Sequence, residues 1–168
     1  MDEGYKINTA IKNHKIDPRA CHNDIHTMNL FFTPEKTIKF IDWGNAGLAD
    51  PFWDIACAVI KLHFSKEQVD FFLEKYFEDN ISSVDRAHFV LMENIALLWT
   101  GLSFLTIKEE IPSAAVKAAV FNYLRKTNEE VTSSIDTFED IAKICFALFK
   151  KRVQSQEYKD AFTLLEQL

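Results

Sequence analysis

The run Cys21-His22-Asn23-Asp24-Ile25-His26-Thr27-Met28-Asn29 gathers side chains able to bind metal or move protons, and it ends where a strand begins. Beyond it, Asn29–Thr33 and Thr37–Ile41 are β-branched and aromatic runs flanking Pro34-Glu35-Lys36. That pattern predicts a hairpin with a three-residue loop. With Thr33 and Thr37 flanking the turn, Asn29 falls opposite Ile41 and beside Asp42. Asp24, five residues upstream of Asn29, can reach the same end of the hairpin. Two carboxylates and an amide oxygen make a hard oxygen site. Such a site suits Mg²⁺, which keeps several waters and shares its shell with substrate phosphates.

The spacing narrows the chemistry. His22, Asp24 and Asn29 follow the H-x-D-x-x-x-x-N pattern of a phosphoryl-transfer catalytic loop, and Asp42-Trp43-Gly44 stands where such proteins carry a metal-binding D-F-G. In that scheme the first Asp accepts the proton of the attacking hydroxyl, while the Asn and the second Asp hold Mg²⁺ against the phosphates. Three other readings compete. The same residues could cap loops and the hairpin end. Cys21, His22 and His26 could mimic a zinc site, but no second Cys/His pair lies nearby. A metal-dependent hydrolase could use the same oxygen cluster. Four positions in order, joined by a hairpin, favour phosphoryl transfer over all three.

The segment His22 to Asn29, with Ile41-Asp42-Trp43 and Gly47-Leu-Ala-Asp-Pro-Phe-Trp-Asp-Ile-Ala56, resembles the aminoglycoside phosphotransferase and choline kinase family, closely over about Ala20 to Tyr76. The H-N-D variant and the Trp after the metal Asp lean toward the choline, ethanolamine and thiamine kinase branch. The resemblance implies a protein-kinase-like fold, with ATP as phosphoryl donor, Mg²⁺ as cofactor, and a small alcohol such as choline or an aminoglycoside-like molecule as acceptor. It implies Asp24 as catalytic base with His22 bracing the loop, and Asn29 and Asp42 as Mg²⁺ ligands. Asp54 becomes a structural acceptor tying the post-metal loop to the catalytic loop. Members also carry an N-terminal lobe with a nucleotide-covering loop and a phosphate-holding lysine. Here Gly4 is the only glycine before Gly44, and Lys6, Lys12 and Lys15 fall in a helical pattern. The expectation is therefore a C-terminal lobe with its N-terminal lobe missing, whose partners would be an N-lobe or a second copy. The alternative function is a non-catalytic remnant or binding module that keeps the kinase C-lobe fold.

The elements that must position these residues are mostly helical. The chain has 168 residues, 48% hydrophobic, with four glycines and four prolines. It reads as one α+β domain over 1–168, with the catalytic loop and metal hairpin in 20–56 and a helical subdomain in 57–168. A short helix is expected before Lys15, a capping-box helix from Ser65 to about Phe77, and a long helix capped by Ser83 and reaching Ile107. Others are expected from Pro112 and Ser113 to about Lys126, from Thr137 to about Arg152, and across Tyr158, Phe162 and Leu165. A net charge of −6 excludes a general nucleic-acid binder. Cys21, Cys57 and Cys145, widely spaced and odd in number, read as free thiols of a reducing, cytoplasmic setting. The apolar stretch Phe89–Ile107 contains Glu93 and Asn94, which favours a core helix over a membrane span. Trp99 is the foremost aromatic candidate for contact with a cationic alcohol, ahead of Trp53, Tyr76 and Phe104.

Overall fold

The computed structural model describes residues 3–107 and 135–168. They divide into two units: Met1–Ala96 with Glu157–Leu168, and Leu97–Gln156. In the first, helix α1 (Glu3–Asn13) buries Ile7 and Ala10. It is fastened at both ends to the last helix, Gln156–Glu166. Tyr158 donates its hydroxyl to Glu3 at 2.8 Å, and Asn13 Nδ2 donates to the Leu165 carbonyl at 3.0 Å.

Four three-residue strands follow: β1 (Arg19–Cys21), β2 (Leu30–Phe32), β3 (Ile38–Phe40) and β4 (Gly47–Ala49). Strands β2 and β3 pair antiparallel in the expected register, Leu30 with Phe40 and Phe32 with Ile38. Their turn is built as the sequence suggests. Lys36 N donates to Thr33 O at 2.9 Å, Lys36 takes φ 59°, and the Thr33 and Thr37 hydroxyls meet at 2.8 Å. A hydrogen-bonded turn ending on one left-handed residue closes the three-residue hairpin loop. The second ladder, β1 with β4, is an addition to the single expected hairpin. Its strands carry no alternation and lie far apart in sequence, so no local signal announces them.

Helix α2 (Pro51–Lys61) is the centre of this unit. Asp50 caps it by accepting from Phe52 N at 2.9 Å, and Pro51 supplies the fixed φ of the first turn. It buries every residue from Ile55 to Ile60, as a helix covered on all sides must. Phe52 stacks on Phe77 and lies against His88. Helix α3 (Lys66–Tyr76) has the expected capping box between Ser65 and Gln68. Helix α4 (Ser83–Leu105) starts one residue from the expected cap: Asp85 N donates to Ser82 Oγ at 3.0 Å, so Ser82 rather than Ser83 closes the N-terminus. Ser82 has an acidic residue three positions on that returns the bond, and Ser83 does not. By length and composition α4 could cross a membrane, with mean hydropathy 1.3, but half of that window is buried.

In the second unit the end of α4 meets α5 (Phe138–Arg152), which Thr137 and Asp140 open with a reciprocal capping box. Phe104 stacks on Phe138 at 5.5 Å, and Gly101 lets α4 approach Cys145 and Phe146. The helix expected from Pro112 to Lys126 lies outside the described residues. The last helix, α6 (Gln156–Glu166), carries Tyr158, Phe162 and Leu165 as expected.

Candidate active site

Two loops hold the candidate residues, and the two ladders hold these loops side by side. The first runs from β1 to β2 and contains His22 to Asn29. The second runs from β3 to β4 and contains Ile41 to Ala46. Because β1 pairs with β4 and β2 with β3, each loop is clamped at both ends to its neighbour.

The contacts between the loops are specific. His22 is 3% exposed, and its Nε2 donates to the Ile41 carbonyl at 2.8 Å. Its ring lies 4.7 Å from that of Trp43, and its Nδ1 is buried with no hydrogen-bond partner. Ile41 N donates to Asn29 O at 3.0 Å, which brings Asp42 to the same hairpin end as Asn29. Asn23 Nδ2 donates to the Asn45 carbonyl at 2.9 Å.

Asp54, in the first turn of α2, braces the first loop from below. Its Oδ2 accepts from His22 N at 2.6 Å and its Oδ1 from Asn23 N at 2.8 Å. Asn23 sits at φ 64°, a left-handed conformation that these bonds hold in place. Asn29 is 6% exposed, and its Nδ2 donates to the Asp24 carbonyl at 3.0 Å. Asp42 is exposed and left-handed, at φ 59° and ψ 64°, and stands just before the short 3-10 turn Trp43–Asn45 without a side-chain capping bond. Its Oδ1 lies over that turn, 3.4 Å from where a Cβ on Gly44 would stand. Asp24, Asn29 and Asp42 therefore belong to one pair of interlocked loops. Among the described residues no group of three or more His, Cys, Asp or Glu side chains is placed to hold a metal ion.

Cys21 turns its thiol to the Ala49 carbonyl at 3.6 Å, on β4, while His22 faces Ile41. Burial, then the Asp54 carboxylate, pushes the Cys21 thiol up, so it stays protonated near neutral pH. Trp99 lies on α4 in the second unit and is 57% exposed. Two residues gain a place that spacing alone did not suggest. His26 Nε2 stands 3.7 Å from Asp24 Oδ1, and Asn45 Nδ2 stands 3.5 Å from Asp24 Oδ2. Asn45 carries no sequence signal. His26 stands out in the sequence only as a member of the polar run and a possible zinc ligand with Cys21 and His22.

The chain is similar to known proteins in sequence and in fold. Two proteins named protein LicA from Haemophilus influenzae, one of them from strain Rd, are 42% identical over 64 residues and 45% identical over 58. These stretches cover 38% and 34% of this chain but 24% and 17% of theirs, so the chain spans a quarter of those relatives or less. A solved structure of a choline/ethanolamine kinase family protein from Mesorhizobium loti superposes with a TM-score of 0.72 at 19% identity. That match covers 99% of this chain and 49% of the other, and it makes the fold kinase-like. The model of the phosphotransferase enzyme family, APH, matches residues 7–90, half of the chain and the half that holds both loops and Asp54. The chain belongs to the phosphotransferase enzyme family.

Proposed function

We propose that this chain supplies the base and the metal ligands of an ATP-dependent small-molecule kinase. The acceptor is a hydroxyl of a small alcohol such as choline or an aminoglycoside-like molecule. The observation that supports the reading is the double clamp on the two loops, with Ile41 N bonded to Asn29 O at the hairpin end and the Asn29 amide bonded to the Asp24 carbonyl. Asp24 orients the acceptor hydroxyl and takes its proton as the oxygen bonds to the γ-phosphorus and the bond to ADP breaks. Asn29 and Asp42 are the residues that would hold Mg²⁺. An exposed carboxylate and an amide whose nitrogen is already engaged leave hard oxygens free for a cation, which fits that ion. When bound, Mg²⁺ neutralises charge on the phosphates. His22 and Asp54 are positioning residues that hold the loop. Trp99 offers an aromatic face to a cationic alcohol. A choline-like acceptor is supported by the kinship to the choline/ethanolamine kinase family protein, and a cytoplasmic setting by three buried free thiols.

The hairpin and its neighbouring loops leave Phe32 79%, Leu48 80% and Trp43 57% exposed, which supports contact with an N-lobe segment or a second copy there. That open side favours a second reading, a non-catalytic module that keeps the fold. Titration of Mg·ATP into the 168-residue chain, with ADP release measured in the presence of choline, separates the two. Phosphoryl transfer depends on gripping the nucleotide from both sides, so one-sided binding should be millimolar, worth about 4 kcal/mol. Asp24→Asn should lower turnover by about 10²- to 10⁴-fold while nucleotide affinity persists. Asp42→Asn should remove the Mg²⁺-dependent part of binding. Absence of turnover even with an N-lobe partner supplied selects the second reading, and turnover untouched by Asp24→Asn removes the first.

A further inference from the structure

We propose that His26 and Asn45 are positioning residues for the Asp24 carboxylate, and that Asn45 couples the Asp42 turn to it. The proposal rests on the reading of Asp24 as the base. Each oxygen of that carboxylate faces its own nitrogen: Oδ1 faces His26 Nε2 at 3.7 Å, and Oδ2 faces Asn45 Nδ2 at 3.5 Å. Two separate partners define the plane of the carboxylate, where one would leave it free to rotate.

Both partners are themselves held. His26 Nδ1 accepts from Met28 N at 3.3 Å, capping the 3-10 turn Thr27–Asn29. A neutral ring with an accepting Nδ1 carries its proton on Nε2, the atom that faces Asp24. The ring cannot turn away without releasing the turn that presents Asn29. Asn45 ends the turn that begins at Asp42, and its carbonyl accepts from Asn23 Nδ2 at 2.9 Å. A displacement of the Asp42 turn therefore moves the partner of the base.

The distances distinguish this carboxylate from its neighbour. Asp54 accepts two short bonds, at 2.6 and 2.8 Å, and its oxygens are committed to the backbone. The contacts of Asp24 are longer, a 3.5 Å hydrogen bond from Asn45 and a 3.7 Å approach of His26, so its lone pairs are less committed than those of Asp54. Such contacts tighten when substrate closes the site. The side chains of Asp24 and His26 are both about one-third exposed, 33% and 32%, so an alcohol can reach them.

Crystal structures of the 168-residue chain as wild type, Asn45→Ala and the His26→Ala/Asn45→Ala double variant test the positioning without any need for activity. Asp24 should hold one rotamer in the wild type and spread over two or more in the double variant. Rates with ATP and choline should fall by about 10- to 100-fold in kcat, the usual cost of a misplaced group. KM for ATP should stay within about twofold, as expected when transition-state geometry alone is lost. His26→Gln, which can still donate toward Asp24, should recover most of the His26→Ala loss. An Asp24 that keeps its rotamer in the double variant overturns the proposal, as does a kcat loss accompanied by a matching fall in thermal stability. Where the isolated wild-type chain shows no turnover, the rotamer comparison decides the positioning alone.

Discussion

Removing the Asp54 carboxylate should destabilise the chain by about 3 kcal/mol. Its two oxygens accept from His22 N and Asn23 N, and a hydrogen bond to a charged acceptor contributes about 1.5–3 kcal/mol. The lower end applies because the site is only part-buried. Asp54→Ala also releases Asn23 from its left-handed conformation, which no other side chain on the loop enforces as directly. For a chain of this size each kcal/mol shifts Tm by roughly 2–4 °C, so a fall of roughly 6–12 °C is expected. Asp54→Asn is the sharper test. A carboxylate accepts twice, whereas an amide accepts once and turns an N–H toward the second N–H, so Asn should recover no more than half of the loss. Urea unfolding followed by circular dichroism reads the free energy, and amide hydrogen exchange at His22 and Asn23 reads the local cause. A loss below about 1 kcal/mol for Asp54→Ala, or unchanged exchange at both amides, would refute the assignment of Asp54 as the anchor of the loop.

Stability should fall as pH drops from about 7.5 to 5.5, through the ordinary histidine range. His14 Nδ1 meets His88 Nδ1 at 3.2 Å, His88 Nε2 meets Asp50 at 2.7 Å, and His14 Nε2 lies 3.8 Å from Asp85. Burial first, then His88, holds the His14 pKa below its ordinary value against the opposing pull of Asp85 and Asp50. The folded chain thus binds fewer protons than the unfolded one, and this contribution is present above the ordinary value and lost below it. Urea midpoints across that range should flatten in His14→Gln, and an equally steep profile there would exclude the pair as the cause. Gly101→Ala should lower Tm by roughly 2–4 °C, because overpacking outweighs the gain in helix propensity. The new Cβ would stand 2.8 Å from Phe146 Cε1 and 3.1 Å from Cys145 Cβ, and the second of these cannot swing aside. Cys57, pushed up to about 12, and Cys145, pushed up to about 11, should resist alkylation at pH 8 until the chain is unfolded, as mass spectrometry would record.

The hairpin and the helix starts at Ser65 and Thr137 are legible in the sequence because each depends on neighbours a few residues apart. A turn residue, a capping pair and a run of β-branched or aromatic side chains settle them locally. The order of His22, Asp24, Asn29 and Asp42 is legible for the same reason, since one hairpin register brings Asn29 beside Asp42. What the tertiary structure decides is everything that depends on two distant segments meeting. The β1–β4 ladder joins residues 19–21 to 47–49, and without it the two loops would share only one fixed end. The reach of Asp54 to the His22 and Asn23 amides, and the approach of Asn45 to Asp24, follow from that closure. The meeting of His14, just past α1, with His88 on α4 likewise joins segments far apart in sequence. Long-range contacts are set by how the buried faces pack rather than by any local preference, so three-residue strands and single polar side chains leave no periodic trace to read.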